Sequence, residues 1–317
     1  MTGASSLHAR AFCPGHISTF FVPKREAGGQ RRLRGSLGAG FSIDAGVTVR
    51  ARAEGEGRGG GGRAGLPFDL VVRDNRRPAS AAGTTAAMLR LLVARAPRGF
   101  RFPRSLTLDN AYALPLGAGF GVSGACALAG ALAVNAAMGL GLPRRACVAA
   151  AHGAEVEMLT GLGDVPAQAA GGFEVRVRAG PPPAGRILTP PFRTQPVVLA
   201  SFGPKPTRAF LSTPARSAAA ARAGNRALRH LLDGAAGPSL EGSVREGRAF
   251  ANELGLVSRE ASALMAALGP EVPCSIAMLG DSVFAFGGRA VERSIRHSAR
   301  GAFVMPTRVS RLGARLL

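Results

Sequence analysis

The stretch PLGAGFGVSGACALAGALAVN, residues 115–135, carries no charged side chain in a chain whose formal net charge is +21. Glycines crowd its first half: Gly117, Gly119, Gly121 and Gly124. Residues 123–138 continue as small apolar residues that read as a helix. Glycines let backbone N–H groups approach an anion closely, and the helix that follows adds its positive N-terminal end. The stretch therefore predicts a phosphate-binding loop, the alternative being that small residues only permit close helix packing.

A membrane span is the competing interpretation of this stretch, because residues 110–143 are uncharged. Pro115 and the glycines interrupt its first half, and the helical part, residues 123–138, is about 24 Å long at 1.5 Å per residue. That is shorter than the hydrocarbon core of a bilayer, about 30 Å. We therefore expect a buried helix and no membrane association. No hydrophobic stretch follows a basic N-terminal region, so a secretory signal is not expected.

The cysteine pattern indicates the redox compartment of the chain, and its charge indicates the kinds of molecule that it attracts. The four cysteines are scattered, with no C-x-x-C pair, which predicts a reducing cytoplasm and no zinc site. Of the 40 Lys and Arg residues only Lys24 and Lys205 are lysines. A basic surface attracts anions of every kind, but with 5% aromatic residues and no tryptophan the chain is poor in surfaces on which bases stack. Nucleic-acid binding is not expected, and a basic RNA-binding protein stays as an alternative.

The periodicity of apolar residues predicts an α+β fold with two lobes, because strands and helices mix without strict alternation. Strands are predicted at residues 11–22 (broken at Pro14 and Gly15), 41–53, 68–74, 171–180, 196–203 and 274–287. Helices are predicted at residues 83–96 (capped by Thr84 or Thr85), 123–138, 144–160 (closed by Gly161), 215–232, 239–269 and 290–300. Residues 54–65, EGEGRGGGGRAG, predict a flexible and dispensable insertion. The proline-rich segment at 180–191 reads as a linker between lobes at 9–185 and 186–317.

Three acidic residues near the glycine loop are candidates for chemistry. Glu155, Glu157 and Asp164 are the only carboxylates between residues 111 and 172. The two glutamates fall in the last turns of a predicted helix, where negative charge opposes the macrodipole, so at least one is expected to meet a cation. Asp164 lies in the glycine-flanked segment TGLGDVPAQ, where an ordinary turn aspartate is the alternative. With the loop and Ser123, these residues supply the parts that phosphoryl transfer needs.

Three blocks of sequence resemble the GHMP kinases. The pattern P-x-x-x-G-[hydrophobic]-G-x-S at 115–123 resembles their ATP loop, CPGHISTFF (13–21) their first motif, and AMLGDSVFAFGG (277–288) their C-terminal glycine-rich motif. GFGVSG also matches the G-x-G-x-x-G dinucleotide pattern, but no acidic residue follows about 20 positions on, as that fold requires. Within the family the blocks are most similar to archaeal pantoate kinases, which also share GSLGAG (35–40) and AHGAEVEMLTGLGDVPAQAAGGFEVR (151–176).

The resemblance implies a fold, cofactors and roles. It implies an ATP loop in the N-terminal lobe, a ferredoxin-like C-terminal lobe, and Mg-ATP-dependent phosphorylation of the 4-hydroxyl of pantoate on the archaeal route to coenzyme A. Ser123 and Glu155 would hold Mg2+, and Asp164 would accept the substrate proton. The expected ATP-loop residues are Pro115, Gly117, Ala118, Gly119, Phe120, Gly121, Val122, Ser123 and Gly124.

The carboxylate of pantoate needs hydrogen-bond donors, and His16, Ser36 and Arg176 are the candidates. Arginine's planar fork suits a carboxylate. The alternatives are a structural histidine, a turn serine and a solvated arginine. Homoserine or mevalonate as acceptor, and a catalytically silent relative of these kinases, also stay open, as does a homodimer.

Overall fold

The computed structural model describes residues 7–24, 34–57, 65–79, 83–205, 213–235 and 237–317. Its strands are β1 (Leu7–Lys24), β2 (Gly35–Glu56), β3 (Asp69–Asp74), β4 (Arg77–Pro78), β5 (Pro103–Tyr112), β6 (Phe173–Arg178), β7 (Arg186–Leu188), β8 (Pro196–Gly203), β9 (Cys274–Ile276), β10 (Asp281–Phe286), β11 (Phe303–Arg308) and β12 (Arg315–Leu316). Its helices are α1 (Thr84–Val93), α2 (Val122–Met138), α3 (Arg144–Met158), α4 (Asp164–Ala170), α5 (Pro214–Asp233), α6 (Leu240–Glu253), α7 (Arg259–Leu268) and α8 (Arg289–Ser298).

The first sheet is built on the long antiparallel pair β1 and β2. Its order is β12-β1-β2-β5-β3-β4, and β6 pairs with β2 and carries β7 at its other side. The predicted break at Pro14 and Gly15 is instead a register shift within one continuous strand, and a second shift follows between Ser18 and Phe20. Irregularities of this kind bend a strand and re-aim its side chains. The two shifts flank the segment that carries His16.

The uncharged helix α2 packs on β1 and β2 and lies under α1 and α3. Most of its residues are buried, including Ala125, Leu128, Ala129 and Ala133 at 0% exposure. Small side chains on nearly every side let the sheet and the two helices approach it closely. The helix is therefore part of the core, as expected, and in the described ranges no helix is long and apolar enough to cross a membrane.

The second sheet has the order β11-β8-β10-β9, and all its neighbours are antiparallel. Along the chain, β8 is followed by helices, then β9 and β10, then α8 and β11. This is the β-α-β-β-α-β arrangement of a ferredoxin-like lobe. The two-lobed α+β prediction is confirmed.

The two lobes share one apolar core. Phe41 of β2 packs edge-on against Phe284 of β10, with ring centroids 5.2 Å apart. Phe21 of β1 meets Phe250 of α6 in the same way at 5.3 Å. The chain then returns to the first sheet, where β12 pairs with β1. The C-terminal lobe is consequently packed against the strand pair that carries the first sequence block.

Several element boundaries differ from those predicted. Helix α1 begins after Gly83, with no side-chain cap from Thr84 or Thr85. Helix α3 ends before Leu159, which itself takes the left-handed conformation (φ 55°) assigned to Gly161. The 239–269 helix is two helices, α6 and α7, and the 274–287 strand is two strands, β9 and β10, around a turn.

The structure has strands where the sequence predicted a linker or no element. Strand β7 lies in the proline-rich segment and pairs with β6, so the first sheet continues past residue 185. Strands β5, β11 and β12 were not predicted at all.

In the glycine-rich insertion, Glu54 to Glu56 continue β2 and pair with β5. Residues 58–64 lie outside the described residues, so the dispensability of the insertion stays a prediction.

Candidate functional site

A cavity of about 550 Å3 lies where the glycine loop, the end of α3 and the turn before β10 meet. This volume is in the range of small-molecule sites. Its lining residues are Ser18, Phe21, Arg34, Ser36, Gly117, Gly119, Phe120, Gly121, Val122, Ser123, Gly124, Glu155, Val156, Leu159, Thr160, Gly161, Leu162, Gly163, Asp164, Met278 and Leu279. Both lobes thus contribute to one site.

The glycine loop is held through its carbonyl groups. The backbone N–H of His16 donates to the Phe120 carbonyl (3.0 Å), the Gln168 amide to the Gly121 carbonyl (2.8 Å), and the Ser282 hydroxyl to the Ala118 carbonyl (2.7 Å). These contacts come from β1, α4 and β10. These contacts hold the loop through its carbonyl groups from the side of the protein.

Gly121 shows why this loop needs glycine. Its φ is +64°, and a Cβ there would lie 2.9 Å from Gln168 Nε2 and 3.2 Å from the Cβ of His16. It immediately precedes α2, whose first turn has no side-chain cap and no acidic residue. The N-terminal N–H groups of a helix without such a cap favour an anion. The structure therefore supports a phosphate cradle at residues 117–124, although Pro115 and Ala118 do not line the cavity.

Glu155 reaches the cavity from the last turn of α3. It is 2% exposed and accepts hydrogen bonds from the hydroxyls of Ser123 (2.5 Å) and Thr160 (2.7 Å). Burial raises the pKa of Glu155 to about 7, against the lowering effect of the two hydroxyls. Glu157, by contrast, points outward with a side chain 51% exposed and pairs with Arg90.

The donor set at Glu155 fits Mg2+. In the described part of the chain no group of three or more His, Cys, Asp or Glu side chains could hold a metal ion. Mg2+ characteristically uses one or two carboxylates together with waters and substrate phosphates rather than a cage of protein ligands. Ser123 and Glu155 supply a hydroxyl and a carboxylate beside the phosphate cradle. Burial raises the pKa of Glu155, and a cation bound beside it would favour the ionised carboxylate.

Asp164 is the first residue of α4 rather than a turn residue, and its side chain is 27% exposed at the cavity. Its Oδ1 lies 2.9 Å from Nδ1 of His16. Burial alone would raise the pKa of Asp164, but the hydrogen bond and charge of His16 and the charge of Arg176 together lower it. A side chain at Gly161 would collide with Glu155 and lie 3.6 Å from Asp164 Oδ2, so both carboxylates face the same spot.

His16 and Arg176 are not on the cavity surface, which revises the expectation that they contact the substrate. They are 0% and 2% exposed and lie behind the wall, in contact with acidic side chains. His16 Nε2 is 3.0 Å from Glu174 Oε1, and Arg176 forms an ion pair with the same carboxylate. Arg176 also donates to the hydroxyl of Ser18 (3.3 Å). Ser36 does line the cavity, and its contact with the substrate stays a prediction.

The sequence reasoning missed four residues of the site: Ser18, Arg34, Thr160 and Glu174. Glu174 lies next to Arg176 on β6 and is 0% exposed, although it was not among the predicted site residues. The hydroxyl of Thr160 follows the helix end that was predicted two residues too late. Only the alternation of Glu174 and Arg176 along FEVRVR carried a usable signal, because a buried acid at that position would require a cation next to it.

Comparisons with known proteins agree with this geometry. Residues 84–172 match the family GHMP kinases N terminal domain. A pantoate kinase of Methanospirillum hungatei is 31% identical over 284 residues, 88% of each chain. One from Thermococcus kodakarensis is 33% identical over 278 residues, 87% of this chain and 86% of the other. A solved structure, a phosphotransferase related to the CoA biosynthesis pathway, is 28% identical with a TM-score of 0.79 and covers 98% of both chains.

The pKa of Glu155 predicts a pH-dependent gain of stability when its charge is removed. The folded pKa is about 7 and the ordinary value is 4.5, so the folded state holds the proton more tightly and loses stability as pH rises between these values. Glu155→Gln should therefore raise the melting temperature of the metal-free protein at pH 8, with the difference shrinking towards pH 5. Thermal unfolding in chelator measures this.

Glu157→Gln is the matched control, because it removes an exposed glutamate from the same helix. It should change the melting temperature little at either pH. A Glu155→Gln variant that is no more stable than the wild type at pH 8 would contradict the conclusion that the ionised, buried carboxylate of Glu155 destabilises the metal-free protein.

Proposed function

The chain belongs to the pantoate kinase family of GHMP kinases, and from this premise we propose that it transfers the terminal phosphoryl group of ATP to the 4-hydroxyl of pantoate. The observation that carries the proposal is the meeting of three features at one cavity: the glycine loop, the Ser123–Glu155 pair and Asp164. The product would serve the archaeal route to coenzyme A. The nucleotide substrate and the free cysteines fit the cytoplasm that the sequence predicts. A homodimer stays a prediction.

The residues divide the reaction between them. The glycine loop and the start of α2 would bind the phosphates of ATP through backbone N–H groups. Ser123 and Glu155 would hold Mg2+, which neutralises charge on the phosphates when it is bound. Asp164 would accept a hydrogen bond from the acceptor hydroxyl and orient its oxygen toward the phosphorus.

Asp164 is a carboxylate whose pKa is lowered by His16 and Arg176, so it is a weak base toward an alcohol. A carboxylate that weak as a base does not deprotonate an alcohol in advance. It accepts the proton as the oxygen–phosphorus bond forms and the hydroxyl becomes acidic. Phosphoryl transfer tolerates this order, because its transition state is loose and most of the rate comes from positioning and charge stabilisation.

The carboxylate of pantoate needs a cation that faces the cavity. Among the described residues that line it, Arg34 is the only one with a positive charge. The hydroxyls of Ser18 and Ser36 line the cavity with it. His152 of α3 donates from Nε2 to the Arg34 carbonyl at 2.9 Å, which fixes the backbone at that point. We assign Arg34 the carboxylate-binding role that the sequence had given to His16 and Arg176.

A substrate panel tests the proposed function directly. Purified protein with Mg-ATP should consume ATP with pantoate far faster than with homoserine, mevalonate or shikimate. A coupled assay of ADP release, with the product identified by mass spectrometry, gives the comparison. A preference for homoserine or mevalonate would leave only the GHMP kinase assignment. RNA binding that collapses as salt rises, with no ATP consumption, would favour the nucleic-acid alternative.

Asp164→Asn and Glu155→Gln should impair turnover in different ways. Asp164→Asn should leave Mg-ATP affinity nearly unchanged and lower kcat by roughly 10²- to 10⁴-fold, the usual scale for a lost general base. Glu155→Gln should raise the Mg2+ concentration needed for half-maximal rate as well as lowering the rate. Magnesium titrations of turnover and nucleotide-binding measurements separate the two. If Asp164→Asn keeps wild-type kcat, its role in proton transfer is wrong.

Arg34→Gln should raise the KM for pantoate while the KM for ATP stays near the wild-type value. A lost charge-assisted hydrogen bond to a carboxylate corresponds to about 1.5–3 kcal/mol, roughly 10- to 150-fold in KM. Pantoyl lactone, which has no free carboxylate, should compete with pantoate equally weakly in the variant and the wild type. Arg101→Gln removes an exposed arginine outside the cavity and serves as the control. An unchanged KM for pantoate would show that residues other than Arg34 bind its carboxylate.

A further inference from the structure

Glu174 occupies a position that the proposed reaction does not itself explain. It lies on β6 at 0% exposure, behind the cavity wall, and does not line the cavity. Its Oε1 accepts from His16 Nε2 at 3.0 Å and from Arg176 in a close ion pair. Its Oε2 has no hydrogen-bond partner among the described residues. A buried carboxylate that leaves one oxygen unpaired costs free energy, so packing alone does not account for its position here.

Four buried or partly buried groups form one chain of alternating charge: Asp164, His16, Glu174 and Arg176. Each neighbouring pair in this order is joined by a hydrogen bond between side chains. Carboxylates are only acceptors when ionised, and a histidine can donate from both nitrogens only when it is protonated. The ring of His16 lies between two such acceptors. The geometry therefore calls for an imidazolium, with one N–H directed at the cavity carboxylate and the other at Glu174.

The backbone makes room for this arrangement. Gly40 of β2 pairs with Glu174 of β6, and a Cβ at Gly40 would lie 2.6 Å from His16 Nε2. A side chain at Gly40 would collide with both the His16 ring and the Ile17 carbonyl, so the ring fits only beside a glycine here.

The electrostatics agree with the geometry. Burial lowers the pKa of His16, but the hydrogen bonds and charges of Asp164 and Glu174 more than offset this and raise it. Arg176 on β6 lowers the pKa of Asp164 by its charge, and Asp164 in turn raises that of Glu155 on α3. Of these groups Glu174 is the one that stabilises the proton on His16 without facing the cavity.

We propose that Glu174 is a positioning residue that keeps His16 protonated, and through it keeps Asp164 ionised and aimed at the acceptor hydroxyl. The proposal rests on the proposed phosphoryl transfer for its catalytic meaning. Its physical content, the protonation state of His16, is independent of which acceptor the enzyme uses. Without Glu174, His16 would lose its second acceptor, and the free carboxylate of Asp164 would be stabilised less.

Glu174→Gln tests the proposal, because it keeps the shape and removes the charge. In protein labelled with 15N-histidine, the ring resonances of His16 are assigned by their loss in His16→Gln. We expect the His16 pKa to fall by about one unit or more, the scale of a nearby opposite charge. The alkaline limb of kcat against pH should move down by a similar amount, with the KM for ATP unchanged. Glu157→Gln is the matched control and should alter neither quantity.

A double variant separates this role from a structural one. Glu174→Gln alone leaves the buried Arg176 without its ion-pair partner, which by itself destabilises the fold. Glu174→Gln combined with Arg176→Met removes both charges and keeps the buried group electrically neutral. If Glu174 acts on His16, the double variant keeps the lowered His16 pKa and the displaced limb. If the single variant does not fold, the double variant is used to measure the His16 pKa and the pH profile.

Three results would overturn the proposal. One is a His16 pKa that is unchanged in Glu174→Gln. Another is a double variant with the wild-type pKa and pH profile, which would mean that Glu174 only pairs Arg176. The third is a lowered His16 pKa with an unchanged pH profile, which would show that the proton on His16 does not matter for turnover. Since the NMR measurement needs no turnover, a failed substrate panel would leave it interpretable.

Discussion

The backbone of the glycine loop touches the backbone of the turn before β10, and the site depends on that contact. A Cβ at Gly280 would collide with the carbonyl of Ala118, and a Cβ at Gly119 would lie 2.9 Å from Gly280 N. The Ser282 hydroxyl donates to the same Ala118 carbonyl. Two glycine-containing segments from different lobes thus meet at a distance that admits no side chain. This contact places the phosphate cradle of one lobe against the turn of the other and closes one end of the cavity.

The chemistry of the cavity follows from two carboxylates whose pKa values move in opposite directions. Burial without a cationic partner raises the pKa of Glu155 to about 7, whereas His16 and Arg176 lower that of Asp164. A carboxylate short of positive charge suits a divalent cation, and a carboxylate held ionised by a protein cation suits an acceptor of hydrogen bonds. Environments that separate the pKa values of paired acids assign them separate roles. Helix α3 and helix α4 supply one carboxylate each, so the separation is built into the fold.

The sequence predicted the fold class and many of the residues that meet at the cavity, but not the cavity residues Ser18, Arg34 and Thr160 or the ion pair behind the cavity wall. The glycine loop, the helix that follows it and the two-lobed organisation have local signals: glycine spacing, apolar periodicity and ordered blocks. Ser123, Glu155 and Asp164 come together at the cavity as the family resemblance implied. The tertiary pairing of β6 with β2 has no local signal, and it is this pairing that buries Glu174 and Arg176. Among so many arginines the sequence singled out Arg176, which is buried, and gave no signal for Arg34, which lines the cavity.

The end of helix α3 was predicted too late because contacts at the site, rather than local sequence signals, accompany it. Leu159 ends α3 with φ 55°, a conformation that usually selects glycine, while a glycine stands two residues later. At this position the side chain of Thr160 bonds to Glu155, and Leu159 lines the cavity with its side chain 54% exposed. An unfavourable backbone conformation and an exposed leucine at the mouth of a site are the kind of local cost that function retains. Because the helix ends at Met158, Thr160 lies outside the regular helix, and its hydroxyl donates to Glu155 Oε1 at 2.7 Å beside the proposed metal position.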